Sequence, residues 1–160
     1  MRYLTGEEEQ EAIRYLNEAA KIAQQSCCLR RKCGSVLVKE DHIIGVGFNS
    51  PPLDEPLEVC IKDSLPINFK SDKTCCIHAE QRSINEALKN HSDEIPGSRM
   101  YFTRIDQNNQ PVRSGKPYCT MCSKIALDVG ISGWVLWHDE GICLYDSREY
   151  NLLSFQFRMS

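Results

Sequence analysis

No apolar run in the 160-residue sequence approaches the roughly 20 residues that a membrane-spanning helix needs. Net charge is also scarce. Nineteen basic residues stand against 22 acidic ones, a formal charge of -3. The chain therefore has no general positive field to attract a long nucleic acid, although a local basic patch stays open. Met1 to Gln10 is polar and acidic and lacks the apolar stretch of an export signal. Internal repeats and low-complexity segments are missing too. These absences predict one soluble domain over residues 1–160, with no membrane partner and with nucleic acid disfavoured. A domain of that size buries about two-thirds of its unfolded surface, enough for a real core.

Cysteine, by contrast, is plentiful. There are nine, an odd number, and two adjacent pairs, Cys27-Cys28 and Cys75-Cys76, do not read as a disulfide framework. Without an export signal, a reducing cytoplasmic setting is predicted, and metal-binding or catalytic roles gain weight.

Apolar residues at Ile13, Leu16, Ala20 and Ala23 recur at helical spacing, which predicts a helix from Glu7 to Ser26 with Thr5 as its N-cap. Strands follow at Gly34 to Lys39 and His42 to Phe48, joined by a tight turn at Glu40-Asp41. Asn49 to Thr74 carries four prolines and no period, and reads as a long covering loop. A second helix runs from about His78 to Asn90, and a third strand from Arg99 to Arg104. Residues 105–116 are polar loop or hairpin tip. Cys119 to Val129 reads as a helix closed by Gly130. Gly133 to His138 is a fourth strand, and Ile142 to Tyr145 a fifth, returning across Asp139-Glu140-Gly141 as a hairpin. Asp146 caps a last short helix through Leu153. Strands alternating with helices predict an α/β fold with helices on both faces of a mixed sheet.

Three residue types fall at metal-ligand spacing. Cys119 and Cys122 form a Cys-x-x-Cys pair at a helix start, where the positive helix end and free N–H groups favour thiolate. His78 starts another helix. One His and two Cys supply three of the four positions of tetrahedral zinc, and an incomplete set is the mark of catalytic rather than structural sites. Glu80 lies two residues beyond His78, within reach of a water at the metal without being a ligand, as a proton carrier must be. Alone, the Cys-x-x-Cys reads equally as a redox pair or half of a structural site. Its joint occurrence with His-x-Glu points to a catalytic zinc site. His78-x-Glu80 with Pro-flanked Cys119-x-x-Cys122 is also the general zinc-deaminase signature.

The stretch Ser26-Cys-Cys-Leu-Arg-Arg-Lys-Cys-Gly-Ser-Val-Leu-Val-Lys-Glu, followed by Ile43-Ile-Gly-Val-Gly-Phe-Asn, resembles the opening of the cytidine/deoxycytidylate (dCMP) deaminase family. His78-Ala-Glu-Gln-Arg-Ser-Ile is similar to that family's zinc helix, Gly97-Ser-Arg-Met-Tyr-Phe-Thr to its third strand, and Pro117-Tyr-Cys-Thr-Met-Cys to its second zinc motif. The resemblance covers about residues 26–138. It implies a three-layer α/β/α cytidine deaminase-like fold on a mixed five-stranded sheet. It also implies Zn2+ as cofactor, a nucleotide or nucleoside substrate with dCMP foremost, and a homo-oligomer. It further implies that Asn49 touches the sugar and that the backbone of Ala79 touches the pyrimidine carbonyl. The sequence departs from the family at three places. Tyr118 separates Pro117 from Cys119, residues 104–116 are an insert, and Gly47-Phe48-Asn49-Ser50 replaces Gly-Tyr-Asn-Gly. In the family, antiparallel final strands accompany free-nucleoside enzymes, whereas parallel ones accompany dCMP and tRNA deaminases. A parallel ending here would use Ser154-Phe-Gln-Phe as the last strand.

Other residues have two readings each. Arg31, with Arg30 and Lys32, suits a substrate phosphate, or is a solvated turn before a strand. Arg113, with Arg104 and Lys116 in the insert, suits an anionic group, or is an exposed hairpin tip. Cys60, Cys75 and Cys76 offer a second, structural zinc site with His42 or His91, or are simply buried thiols. Trp134 and Trp137 fall on opposite faces of a strand, as core or as base-stacking rings. His138, at a strand end, reads as a pocket-lining residue or, in preference, as a surface one. Two other functions fit the zinc residues: a polynucleotide deaminase acting on tRNA adenosine or single-stranded DNA, and a zinc-bound module without catalysis.

Overall fold

The computed structural model describes residues 1–66 and 75–157. In chain order the elements are β1 (Arg2–Tyr3), α1 (Gly6–Ala23), β2 (Cys33–Lys39), β3 (His42–Phe48), α2 (Ala79–Asn90), β4 (Arg99–Ile105), β5 (Pro111–Val112), α3 (Thr120–Asp128), β6 (Gly133–His138), β7 (Gly141–Asp146) and α4 (Ser147–Gln156). One mixed sheet runs β1-β7-β6-β4-β2-β3, with β5 paired to the end of β4. The sheet has seven strands rather than the five expected from the sequence. The two extra strands, β1 and β5, have two residues each, too short to carry an alternating pattern.

Strand alternation builds the layers. Val36 and Val38 of β2, Tyr101 of β4 and Val135 of β6 pack with Ala12, Tyr15, Leu16 and Ala19 of α1. Their neighbours Leu37, Met100, Trp134 and Leu136 pack on the opposite face with residues of α2, α3 and α4. Trp134 and Trp137 thus face opposite sides, as expected. Trp134 is fully buried and stacks on Tyr150, ring centroids 4.1 Å apart.

Local expectations are met where turn chemistry is strong. Glu40 and Asp41 both have positive φ, the geometry of a two-residue hairpin loop. Gly130, at φ +87, ends α3. Asp146 caps α4, its carboxylate accepting from the backbone N–H of Arg148 at 2.8 Å. Thr5 occupies the N-cap of α1 without making a side-chain cap bond, and α1 ends at Ala23, three residues before Ser26. β6 and β7 are antiparallel, Trp134 opposite Tyr145, so the hairpin reading holds. Ser154 to Gln156 lie in α4, not in a parallel strand. In the covering loop, residues 52–54 and 61–64 form short 3-10 turns, and 67–74 lie outside the described residues. No helix among the described residues is long and apolar enough to cross a membrane.

One expectation fails outright. His138 is not a surface residue. It is 7% exposed, and its Nε2 meets the Tyr145 hydroxyl at 2.8 Å. Alternation places the two rings on the same face: Tyr145 lies opposite Trp134, and His138 is four residues beyond Trp134 on β6.

Candidate metal centre and its surroundings

The α2 N-terminus carries His78 as N-cap, its backbone N–H bonded to Gln81 Oε1 at 3.1 Å. Cys119 caps α3, its sulfur accepting from the Cys122 N–H at 3.4 Å. Both helix starts lie on the same face of the sheet. His78 Nδ1 is 3.3 Å from each sulfur. Among the described residues, these three are the one group whose ligand atoms all lie within 4.8 Å of one another.

The electrostatics suit a cation. Hydrogen bonding from the Cys122 thiol holds Cys119 down at about 4 against the effect of burial, and His78 adds to the lowering. The bond to Cys119 pushes His78 up to about 9 despite burial. One imidazole and two sulfurs, largely buried and already holding a thiolate at Cys119, make a donor set of the type zinc takes.

Glu80 is 6% exposed. Burial pushes its carboxyl up from the ordinary range, with His78 pulling the other way. A carboxyl so placed holds a proton more firmly than an exposed one.

The remaining predicted contacts divide. Ala79 is wholly buried in the first turn of α2, where helical geometry leaves backbone N–H groups without partners in the helix. The Asn49 side chain acts as a clamp. Its Oδ1 accepts from Ser26 Oγ at 2.9 Å and the Cys33 N–H at 2.7 Å, and its Nδ2 donates to the Arg31 carbonyl at 2.8 Å. One N–H of that amide is left over. Arg113 points elsewhere: its Nε donates to the His138 carbonyl at 3.2 Å and sits 3.6 Å from Asp139. The insert folds as a β4–β5 hairpin, and Arg113 fastens it to the β6–β7 turn.

Two more residues belong to the surroundings of the site: Cys33, which the sequence did not single out, and Arg104, which it named as a cation of the insert. Cys33 and Arg104 are cross-strand partners on β2 and β4. Alternation puts them on the same face as Ser35, whose hydroxyl meets Ser83 of α2 at 3.0 Å, and as Met100. Burial pushes the Cys33 thiol up to about 12, and the nearby Glu80 carboxylate adds to it. Burial lowers Arg104, and the Arg31 charge lowers it further. Arg104 donates to the Arg113 carbonyl at 3.4 Å and to the Ser114 carbonyl, while its buried Nε has no partner. The Arg31 and Arg104 charges are thus within electrostatic reach of each other and of Cys33, which also feels Glu80.

Residues 8–138 match the family model described as the cytidine and deoxycytidylate deaminase zinc-binding region. The chain belongs to this family. It is similar to deoxycytidylate deaminase of Saccharomyces cerevisiae, 28% identical over 123 residues that cover 74% of the chain and 34% of the yeast protein. It thus spans about a third of that relative's length. The deoxycytidylate deaminase of Mycobacterium phage D29 is 31% identical over 98 residues, 56% of the chain and 74% of the phage protein. Among solved structures, the dCMP deaminase of cyanophage S-TIM5 in complex with dCMP and dUMP superposes with a TM-score of 0.55, at 25% identity, covering 82% of each chain.

Proposed function

We propose that the protein is a zinc-dependent deaminase of a cytosine nucleotide, converting dCMP to dUMP and ammonia. The observation that carries this reading is the buried His78–Cys119–Cys122 group with Glu80 beside it. His78, Cys119 and Cys122 would hold a zinc ion, which would supply a water acidified to about neutral pH. The water oxygen adds to the ring carbon bearing the amine. Glu80 takes the proton that the water gives up and delivers it to the adjacent ring nitrogen. It then takes the proton of the hydroxyl now on that carbon and passes it to the departing amine, so that the carbonyl forms, the C–N bond breaks and ammonia leaves. The carboxyl's raised proton affinity suits this two-way transfer.

Phosphate recognition rests on Arg31 and Arg104, two cations within electrostatic reach of each other and of Cys33, and together suited to a dianion. Arg113, anchored at the β6–β7 turn, is the weaker candidate. Ala79 offers backbone N–H to the base, and the leftover Asn49 N–H reaches for the sugar. We assign the enzyme to the cytoplasm, as a homo-oligomer with a free nucleotide as substrate rather than nucleic acid, in keeping with the acidic balance of the chain.

One observation favours a second reading. The antiparallel β6–β7 ending is the pattern of free-nucleoside cytidine deaminases, which makes deoxycytidine or cytidine the competing substrate. Ultraviolet absorbance on a panel of dCMP, CMP, deoxycytidine, cytidine, cytosine, adenosine, guanine and a single-stranded oligonucleotide separates the two. Turnover confined to the phosphorylated pyrimidines supports the first reading. Preference for the nucleosides supports the second, and activity only on adenosine or the oligonucleotide overturns both.

A further inference from the structure

A second group of sulfurs lies outside the centre described above. Cys28 follows α1, Cys60 opens the 3-10 turn at residues 61–64, and Cys75 and Cys76 precede the His78 N-cap. All four line one small cavity, together with Cys27, Leu29, Pro51 and Leu57. None of the nine cysteines forms a disulfide.

The sulfurs come in two facing pairs. Cys60 Sγ and Cys75 Sγ are 3.6 Å apart. Cys76 is hydrogen-bonded to Cys28 and lies in electrostatic reach of Cys60 and Cys75. The first separation is informative. A disulfide requires about 2.05 Å, whereas two thiolates sharing a tetrahedral zinc at about 2.3 Å stand roughly 3.8 Å apart. The donor separations of the His78–Cys119–Cys122 group, 3.3 Å, are of the same size. The free space among the sulfurs is about 10 Å3, at the lower limit for a water, roughly 10–15 Å3. A bare cation is smaller.

Backbone groups are already aimed at one of these sulfurs. Burial opposes ionisation of Cys75, but the N–H groups of Lys62 and Ile61 and the Cys60 thiol outweigh it and hold Cys75 below its ordinary value. Amide groups directed at a sulfur are what a metal-bound thiolate uses to spread its charge. Cys27 is otherwise engaged, its sulfur 2.8 Å from the Ser50 hydroxyl.

We propose that Cys28, Cys60, Cys75 and Cys76 form a second metal site, a tetrathiolate that takes a structural zinc ion. Four protein ligands leave no position for water, so this site is closed and does no chemistry. Its work is to pin. It ties the segment after α1 and the turn at 61–64 to the residues just before His78. This ion ties the middle of the covering loop, at Cys60, to the residues that follow the loop, Cys75 and Cys76, which lead into the first centre. In the structure the two pairs are not yet one cradle, and the ion draws them together.

Metal analysis of the reduced protein, purified without added metal, tests this directly. The expected content is two zinc ions per chain. Cys60→Ser should lower it to one and leave deamination by the remaining centre measurable. Cys119→Ala should also lower it to one, and the two changes together to none. Cobalt loaded into Cys119→Ala should show the intense sulfur-to-cobalt absorption of an all-thiolate site. One zinc per wild-type chain overturns the proposal without needing any variant to fold. So does a second zinc that survives both Cys60→Ser and Cys28→Ser, or a Cys60–Cys75 disulfide in the reduced preparation. The count is independent of the catalytic reading, since two zinc ions in an inactive protein still support this site.

Discussion

A Cβ atom on Gly47 would lie 2.1 Å from the carbonyl oxygen of Ala79. The β3 backbone thereby seats the first turn of α2, the turn that carries His78, Ala79 and Glu80. Any side chain at Gly47 must push that turn away from the sheet, because the obstacle is backbone and cannot rotate aside. Gly47→Ala is expected to cost about 1–3 kcal/mol, the usual range for overpacking. It should also weaken zinc retention at His78. Thermal unfolding and zinc content check both effects. A variant as stable and as zinc-rich as the parent would contradict this account of helix placement.

Cys119→Ala and Cys122→Ala should each lose the zinc held with His78, because two ligands do not hold it against dialysis. Metal analysis after dialysis against a mild chelator reads the loss. Retention of that zinc in both variants would remove the assignment.

Arg104→Ala should raise the Michaelis constant for dCMP by roughly 10–100-fold, the worth of a hydrogen bond to a charged group. Deoxycytidine should change little, since it has no phosphate to lose. Arg113→Ala should have the smaller effect on dCMP, because its guanidinium is engaged by Asp139 and the His138 carbonyl. Steady-state kinetics on both substrates decide. Equal damage to both by Arg104→Ala would make it a structural residue, and a larger selective loss in Arg113→Ala would restore the insert tip to the substrate.

Burial lowers His138 below its ordinary value. The unfolded chain therefore binds a proton more readily than the native one. Stability is full above the unfolded value, near 6.5, and falls as pH drops towards the folded one. His138→Gln should flatten that part of the profile. Denaturant unfolding between pH 5 and 8, in roughly half-unit steps, would reveal an unchanged slope if the residue plays no part.

The grouping of His78, Cys119 and Cys122, with Glu80 near them, was legible because the chemistry expected of such residues imposes spacing: His78 with Glu80, and Cys119 with Cys122, at two helix starts. The Asp139–Glu140 hairpin was legible from its turn residues and the alternation of Ile142 to Tyr145. The environment of Arg104 and Arg113 was not. Both are cations of one insert, and only the pairing of β5 with β4 decides that Arg104 faces α2 while Arg113 reaches the opposite turn. A two-residue strand leaves no periodic trace. Cys33 had a readable signal, its place two residues before Ser35 and four before Leu37 on one strand face. His138 was misjudged because its strand-end position suggests exposure, and the Tyr145 hydroxyl that covers it comes from the next strand.

The central claim is that Glu80 moves protons beside a metal it does not bind. Glu80→Gln preserves the side chain's size and removes its capacity to take a proton. Turnover of dCMP and zinc content, measured on the same preparation, test the claim most directly. The account predicts a fall in turnover of at least about 100-fold with the zinc content unchanged. Turnover near that of the parent, or loss of zinc together with activity, would contradict it.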